Sequence, residues 1–222
     1  NIEKKFCFND YDNLINNSEI DIVYISLPNI FHHEWIEKCI ENEKNILVEK
    51  PITTNSYQIK KIQKKILYKN SKISIFEGFM YKYHPQILKI LELIKNDEIG
   101  EINYIESSFG VNLLTKRKFW FFEKKKKINK KGRLFNKNLG GGCILDLGCY
   151  PISFATMISD LTDNTKASFE IINKKTEIGE TDVDIDASIE FVLRNKIKAK
   201  LFSSFKKNLG TTTNIYGTKG KI

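Results

Sequence analysis

The run from Ile20 to Leu27, Ile-Asp-Ile-Val-Tyr-Ile-Ser-Leu, is nearly all apolar and rich in β-branched residues, the pattern of a parallel strand covered on both faces. After a turn at Pro28-Asn29, apolar residues at Phe31, Trp35 and Cys39, with Ile36 and Ile40, recur at helical spacing and predict a helix over residues 31–43 that Asn29 is placed to cap. Asn45 to Val48 reads as a second short strand, Thr54 to Tyr68 as an amphipathic helix carrying Ile59, Ile62 and Ile66, and Ile73 to Glu77 as a third strand. The order β-α-β-α-β admits few folds. Right-handed crossovers wind such a chain into a doubly wound α/β sheet and bring every loop that follows a strand to one edge, where ligands sit.

Beyond Gly78 the pattern changes. A helix around His84 to Lys95 precedes a strand at Glu101 to Phe109, a basic loop, a glycine triplet at Gly140 to Gly142 and a helix reaching Ile158. Four strands follow, at Ala167 to Lys175, Asp184 to Leu193, Lys196 to Phe205 and Thr211 to Tyr216. In the second of them Asp184, Asp186, Ser188 and Glu190 alternate with Ile185, Ala187, Ile189 and Phe191, as in a sheet with one wet face. The expected organisation is two domains. Residues 1–77 form part of a doubly wound parallel sheet, and residues 78–222 an α+β domain on a largely antiparallel sheet.

Composition narrows the function. With 222 residues, 41% of them apolar and 28% charged, the chain has the make-up of a folded globular protein, not of a disordered or collagen-like one. Its apolar runs are broken by Lys, Asn or Asp before the ~18 to 20 residues that a membrane span needs, so a membrane role is not expected. The net charge of +9 invites a nucleic-acid reading. However, Lys outnumbers Arg 33 to 3, while 33 Ile and 21 Asn are also in excess, which points to AT-rich codon drift. A nucleic-acid groove would show Arg for bidentate readout and interleaved aromatics, so no nucleic-acid partner is expected. The densest basic cluster, Lys124 to Lys127 with Lys130 and Lys131, reads as a solvated loop. Cys7, Cys39, Cys143 and Cys149 form no CxxC pair, and the adjacent His32 and His33 cannot close one metal site together, so no metal is expected. Reduced thiols in a cytoplasmic protein account for the cysteines.

Three clusters lie at loop positions. Leu27-Pro28-Asn29 with His32 sits at the end of the first strand, where a helix cap is the alternative account. Glu49-Lys50-Pro51 follows the second strand. Pro51 biases Lys50 toward an extended conformation and pins an ammonium on the ligand edge, unless the two charges only round off a strand as a surface ion pair. The third is Gly140-Gly141-Gly142-Cys143 running through Asp146 to Tyr150-Pro151. Consecutive glycines permit close backbone approach, and a helix start beyond them is placed to orient free N–H groups toward a ligand. If helical, Asp146 and Tyr150 share a face at i, i+4. A core tyrosine bonded to an aspartate is the alternative, and Pro151 strains a regular helix there.

These clusters, with Glu77-Gly78-Phe79-Met80-Tyr81-Lys82-Tyr83-His84-Pro85 and Tyr216-Gly217-Thr218-Lys219-Gly220, in this order, resemble the Gfo/Idh/MocA family of NAD(P)-dependent oxidoreductases, and within it the dihydrodiol dehydrogenase and glucose-fructose oxidoreductase branch. The resemblance spans nearly the whole chain. It implies a Rossmann-type domain binding NAD or NADP, a second domain for substrate and oligomerisation, and hydride transfer at a CH–OH carbon of a sugar, polyol or cyclic diol. By resemblance, Lys50, Tyr150 and Asp146 are catalytic: Tyr150 transfers the proton, Lys50 is the cofactor-side and catalytic lysine, and Asp146 is a substrate-hydroxyl or orienting partner. Leu27, Pro28, Asn29, His32, Glu49, Lys50 and Pro51 line the cofactor side. Arg133, Tyr81 and His84 are assigned to the substrate rim, with surface or core roles as alternatives. A homo-oligomer through the C-terminal sheet is expected. The family's opening G-x-G-x-x-G is not found in this sequence, and its final helix lies beyond Ile222, so a fragment short at both ends and inactive by itself is expected. A scaffold that dimerises without catalysing is the competing reading.

Overall fold

Ile22–Ile25 (β1), Asn45–Val48 (β2) and Ile75–Glu77 (β3) pair in parallel, in that order, in a computed structural model of the chain. Ile22 stands opposite Asn45, and Ile46 opposite Ile75. The structure describes residues 3–4, 7–117, 123–125, 128–162, 168–193 and 196–222. The chain divides into two compact units, Asn1–Phe79 and Met80–Ile222.

In the first unit a short helix, Tyr11–Asn16 (α1), precedes β1; Asn29–Glu41 (α2) connects β1 to β2, and Ser56–Lys69 (α3) connects β2 to β3. Both crossovers step the same way across the sheet, and right-handed connections that do so lay their helices on one face. Ile36, Cys39, Ile40 and Ile62 of those helices bury against Val23, Ile25, Ile46 and Val48. On the opposite face Ile22, Tyr24, Leu47 and Phe76 are exposed. The expectation of strands covered on both faces is therefore corrected, because among the described residues only one face receives helices.

Helix starts follow local side-chain chemistry. Asn55 caps α3 by accepting from the Gln58 amide at 3.0 Å, while the Gln58 Oε1 accepts from the Thr54 amide at 3.0 Å, a reciprocal arrangement that satisfies two free donors. Asn29 does not cap α2 as expected. Pro28, with its φ of −57°, occupies the cap position, and Asn29 is already the first helical residue. The buried Lys44 ammonium donates to the carbonyls of Asn17 and Ile20, both at 2.7 Å, and ties the exit of α1 to the start of β2.

The second unit is a five-stranded sheet in the order β10-β4-β9-β8-β7. Its strands are Ile102–Gly110 (β4), Phe169–Ile178 (β7), Asp184–Leu193 (β8), Lys198–Ser204 (β9) and Thr213–Gly217 (β10). The β4–β9 pair is parallel and the others antiparallel. Pro85–Lys95 (α4) and Cys149–Thr162 (α5) contribute Ile87, Phe154, Ala155 and Ile158 to a core with Ile105, Phe191, Leu201 and Ile215. The stretch Lys137–Thr162 is long and apolar enough to cross a membrane by length and composition. Its Phe154, Ala155 and Ile158 pack into this core instead, and its Cys143 and Leu147 into a second cluster with Phe135, Val183, Ile185 and Phe205.

Within the basic loop, Thr115–Arg117 (β5) and Glu123–Lys125 (β6) form an antiparallel pair that the sequence pattern did not announce. Lys130 and Lys131 are exposed, as a solvated cluster requires, whereas Lys126 and Lys127 lie outside the described residues. Ala167, taken as a strand start, also lies outside them.

The thiols give a direct check on burial. Cys39 and Cys143 are fully buried, Cys149 is half-buried and Cys7 exposed. Burial pushes the Cys39 thiol up to about 11 against the opposing pull of the Lys44 ammonium, and burial likewise pushes Cys143 up to about 12. Since the thiolate is the reactive form, an alkylating reagent near pH ~8 is expected to label Cys7 in the native protein and Cys39 and Cys143 only after unfolding. Mass-spectrometric mapping of the labelled sites checks this, and rapid native labelling of Cys143 would contradict the packing.

Candidate active site

In the first unit the candidate residues gather at the edge where β1, β2 and β3 end. Leu27 and Pro28 are half-buried there and Asn29 is buried. Glu49 and Lys50 are half-buried at the end of β2, and Pro51 behind them is buried, joined to Lys50 by a cis peptide bond. Glu49 accepts the Tyr24 phenol at 2.6 Å. That accepted hydrogen bond, with some burial and the carboxylate charge, raises the Tyr24 pKa, so Tyr24 stays a neutral donor. The edge thus presents an ammonium beside a carboxylate already bonded to a phenol.

His32 corrects an expectation. It is fully buried, with Nδ1 2.8 Å from the Pro51 carbonyl and Nε2 2.8 Å from the Leu27 carbonyl. A ring with a main-chain carbonyl beside each nitrogen and closed off from solvent does not line a ligand surface; it sits behind the loops after β1 and β2. One turn of α2 from Asn29 brings its side chain between the ends of β1 and β2. Glu77, at the end of β3, accepts from the Ile52 amide at 2.8 Å. The Gly78 amide donates to the Val48 carbonyl at 2.7 Å, and a methyl group at Gly78 would stand 3.2 Å from that carbonyl oxygen, so close approach favours glycine there.

In the second unit, the helix start beyond the glycine triplet does not turn its Ile144 amide to a ligand, which corrects that expectation, while the glycines do approach other parts of the chain closely. Gly140, Gly141 and Gly142 donate to the carbonyls of Lys137, Asn136 and Leu134, and Asp184 accepts from the Ile144 amide at 2.6 Å. The triplet exists for close packing. A methyl group at Gly141 would lie 2.7 Å from the carbonyl oxygens of Arg133 and Leu134, and Gly142, at φ +119°, would drive one into the Asp184 carboxylate. The protein's own aspartate therefore takes the place at the helix start that an anionic ligand would otherwise fill.

From there the chain forms one widened π turn, Ile144–Gly148, before α5. Pro151 supplies the reason: its ring crowds the carbonyl four residues back, and a wider turn relieves the clash. Asp146 is buried in this turn, and Arg133 Nη1 donates to its Oδ1 at 2.8 Å. Tyr150 is half-buried, with its ring centre 5.3 Å from that of Phe109 and 5.9 Å from that of Tyr81. The Tyr81 hydroxyl donates to Ser153 Oγ at 3.0 Å. These rings border a cavity of about 440 Å³ whose walls also include His84, Phe154, Ser107 and Thr213. The last two hydroxyls are 2.6 Å apart.

Tyr150, Tyr81 and His84 thus meet around one cavity, although His84 also caps α4 by accepting from the Gln86 amide at 3.2 Å. Arg133 and Asp146 are brought to each other and do not line that cavity. Among the described residues no three His, Cys, Asp or Glu side chains group closely enough for a metal. Sequence reasoning passed over Tyr24, Glu77 as a bonding group, Phe109, Ser153 and Asp184. Glu77 carried a signal, a lone acid at the end of a buried strand; the pairing of Asp184 with the glycine triplet, 42 positions away from Gly142, carried none.

The chain thus carries a parallel β-α-β-α-β unit with a charged edge, followed in sequence by a sheet unit with a tyrosine-lined cavity. Comparison with known families makes this specific: residues 1–77 match the NAD-binding Rossmann fold of the Gfo/Idh/MocA oxidoreductases, and residues 87–222 match that family's C-terminal domain. The chain belongs to the Gfo/Idh/MocA family. It is 30% identical over 97% of its length to a trans-1,2-dihydrobenzene-1,2-diol dehydrogenase of Xenopus tropicalis, and covers 58% of that protein. It is 27% identical over 96% of its length to a dTDP-3,4-didehydro-2,6-dideoxy-alpha-D-glucose 3-reductase of Saccharopolyspora spinosa, again covering 58% of the relative. Among solved structures, a 3-ketoreductase from Actinomadura kijaniata in complex with NADP and TDP-benzene superimposes with a TM-score of 0.77 at 23% identity, over 96% of this chain and 59% of that one. The chain therefore spans somewhat over half the length of these proteins.

The crowding at the triplet is testable. Gly141→Ala is expected to lower stability by about 2 kcal/mol or more, because three carbonyl oxygens must move. Urea unfolding followed by circular dichroism measures it, and an unchanged midpoint would show that the triplet is loosely packed.

Proposed function

We propose that the protein transfers a hydride between NAD or NADP and a CH–OH carbon of a sugar, polyol or cyclic diol, with Tyr150 and Lys50 handling the proton. The observation that carries this reading is the placement of Tyr150, whose half-buried ring borders a cavity of about 440 Å³ in the second unit. The walls of that cavity combine aromatic faces with Ser and Thr hydroxyls and, among the described residues, hold no Lys, Arg, Asp or Glu. Such a lining suits an uncharged ring bearing hydroxyl groups: aromatic faces stack on its carbons, and hydroxyls exchange hydrogen bonds with its oxygens.

The edge of the first unit suits the nicotinamide-ribose half of the cofactor. Its donor set, the Lys50 ammonium beside the Glu49 carboxylate, matches neighbouring hydroxyls that both give and accept hydrogen bonds. The bound cofactor supplies or takes the hydride. The chain's own residues manage the proton. An alcohol losing hydride must also lose a proton, which Tyr150 accepts as the base. A free phenol, with a pKa of about 10, is too weakly acidic to act so near pH 7, and a neighbouring ammonium favours its ionised form. Lys50 supplies that charge. In reduction the same phenol donates to the carbonyl oxygen while Lys50 stabilises the developing alkoxide. Asp146, held by Arg133, keeps the turn before Tyr150 in place.

A second reading, a dimerising scaffold without catalysis, draws on the uncovered face of the five-stranded sheet, where Tyr104 packs on Tyr216 at 5.6 Å beside the Lys200–Glu190 ion pair. That face is also where a homo-oligomer would form, and sedimentation of the wild type against a Tyr216→Glu variant tests it. Fluorescence titration with NADH and NADPH separates the two readings, since a scaffold shows no saturable binding. In the whole protein, Tyr150→Phe is expected to lower kcat by roughly 10²-fold or more while cofactor affinity stays within about twofold. Equal loss of both would make Tyr150 a structural residue.

A further inference from the structure

We infer that His32 and Glu77 are positioning residues that lock the peptide following Pro51 and thereby set the direction in which Lys50 is presented. The inference rests on Lys50 acting at the strand edge, as proposed above. The bonds at His32 and at Glu77 converge on one peptide unit: the Pro51 carbonyl faces His32 Nδ1 at 2.8 Å, and the amide of the same peptide, on Ile52, donates to Glu77 at 2.8 Å. A peptide unit is planar, so a partner at each end fixes its rotation about both flanking bonds. The other His32 nitrogen is 2.8 Å from the Leu27 carbonyl; a carbonyl only accepts, so the ring bonds both loops when each nitrogen carries a proton.

One fixed plane thus joins three loops: that after β1 through Leu27, that after β2 through Pro51 and Ile52, and the end of β3 through Glu77. Pro51 is buried and its ring fixes φ, which leaves little freedom between the locked plane and Lys50. Neither clamping group needs to touch a ligand. His32 is closed off from solvent, and the Glu77 carboxylate is turned to a main-chain amide. The Lys50 side chain is long and loses considerable rotamer freedom on being held, so a preset backbone lowers the cost of presenting its ammonium in one place.

The test compares His32→Ala, Glu77→Ala and Glu77→Gln in the whole protein. Reductive methylation with ¹³C-formaldehyde gives each lysine a methyl signal, and Lys50→Arg identifies that of Lys50. The wild type and Glu77→Gln, whose amide oxygen still accepts from Ile52, are expected to share one Lys50 signal; the two alanine variants are expected to move it toward the position of freely exposed lysines. Turnover should follow, with kcat down about tenfold or more and substrate KM within about twofold in the alanine variants, restored in Glu77→Gln. If His32→Ala does not fold, the half-buried Glu77 pair decides. An unmoved Lys50 signal in Glu77→Ala, or a Glu77→Gln variant that behaves like it, would overturn the clamp. A wild type that shows the ordered Lys50 signal but turns over no sugar or diol would sink the oxidoreductase reading and leave the clamp standing.

Discussion

Two right-handed crossovers stepping in one direction govern the first unit. They lay α2 and α3 on a single face, so Ile36, Cys39, Ile40 and Ile62 form one core with the sheet. They also bring the ends of β1, β2 and β3 to one edge. Once three strand ends are neighbours, residues far apart in the chain meet across loops: His32 with Pro51, Glu77 with Ile52, Tyr24 with Glu49. The first is buried and the second half-buried, where an unmade partner is costly, so the edge is stiff although it consists of loops; the third lies at the surface.

In the second unit the corresponding constraint is steric. The glycine triplet lets the segment from Arg133 to Asn136 lie against the start of the long helix, with Asp184 completing the first turn. A wider turn follows because Pro151 does not tolerate a regular one. The outcome is a Tyr150 ring wedged between Phe109 and Tyr81, with one side on the cavity. The two units contribute different chemistry. One offers charges at a sheet edge, and the other offers rings and hydroxyls around a space without charged walls.

The surplus of positive charge takes no part in this arrangement. Lys130 and Lys131 are exposed, and other lysines engage carboxylates at the surface, as in Lys38 with Asp12 and Lys206 with Glu177. Exposed pairs of this kind contribute little stability.

The strands and helices were legible because their signals are local. Period and β-branching mark β1 and β2, helical spacing marks α2 and α3, and alternation marks β8. The short β5–β6 pair escaped because its pattern is that of a basic loop. The motifs that carry the family resemblance were also readable in sequence, since chemistry at the ends of strands needs particular residues at particular places. Sequence alone thus determined the element types, the α/β character and the residues worth attention. Only the tertiary structure decided what each of them does. It sealed His32 behind the loops, gave the triplet's amides to the protein itself, paired Arg133 with Asp146 and turned Tyr150 to a cavity. The physical reason is that hydrogen-bond partners and burial are set by neighbours in space, and pattern along the chain is blind to which distant carbonyl or carboxylate will arrive.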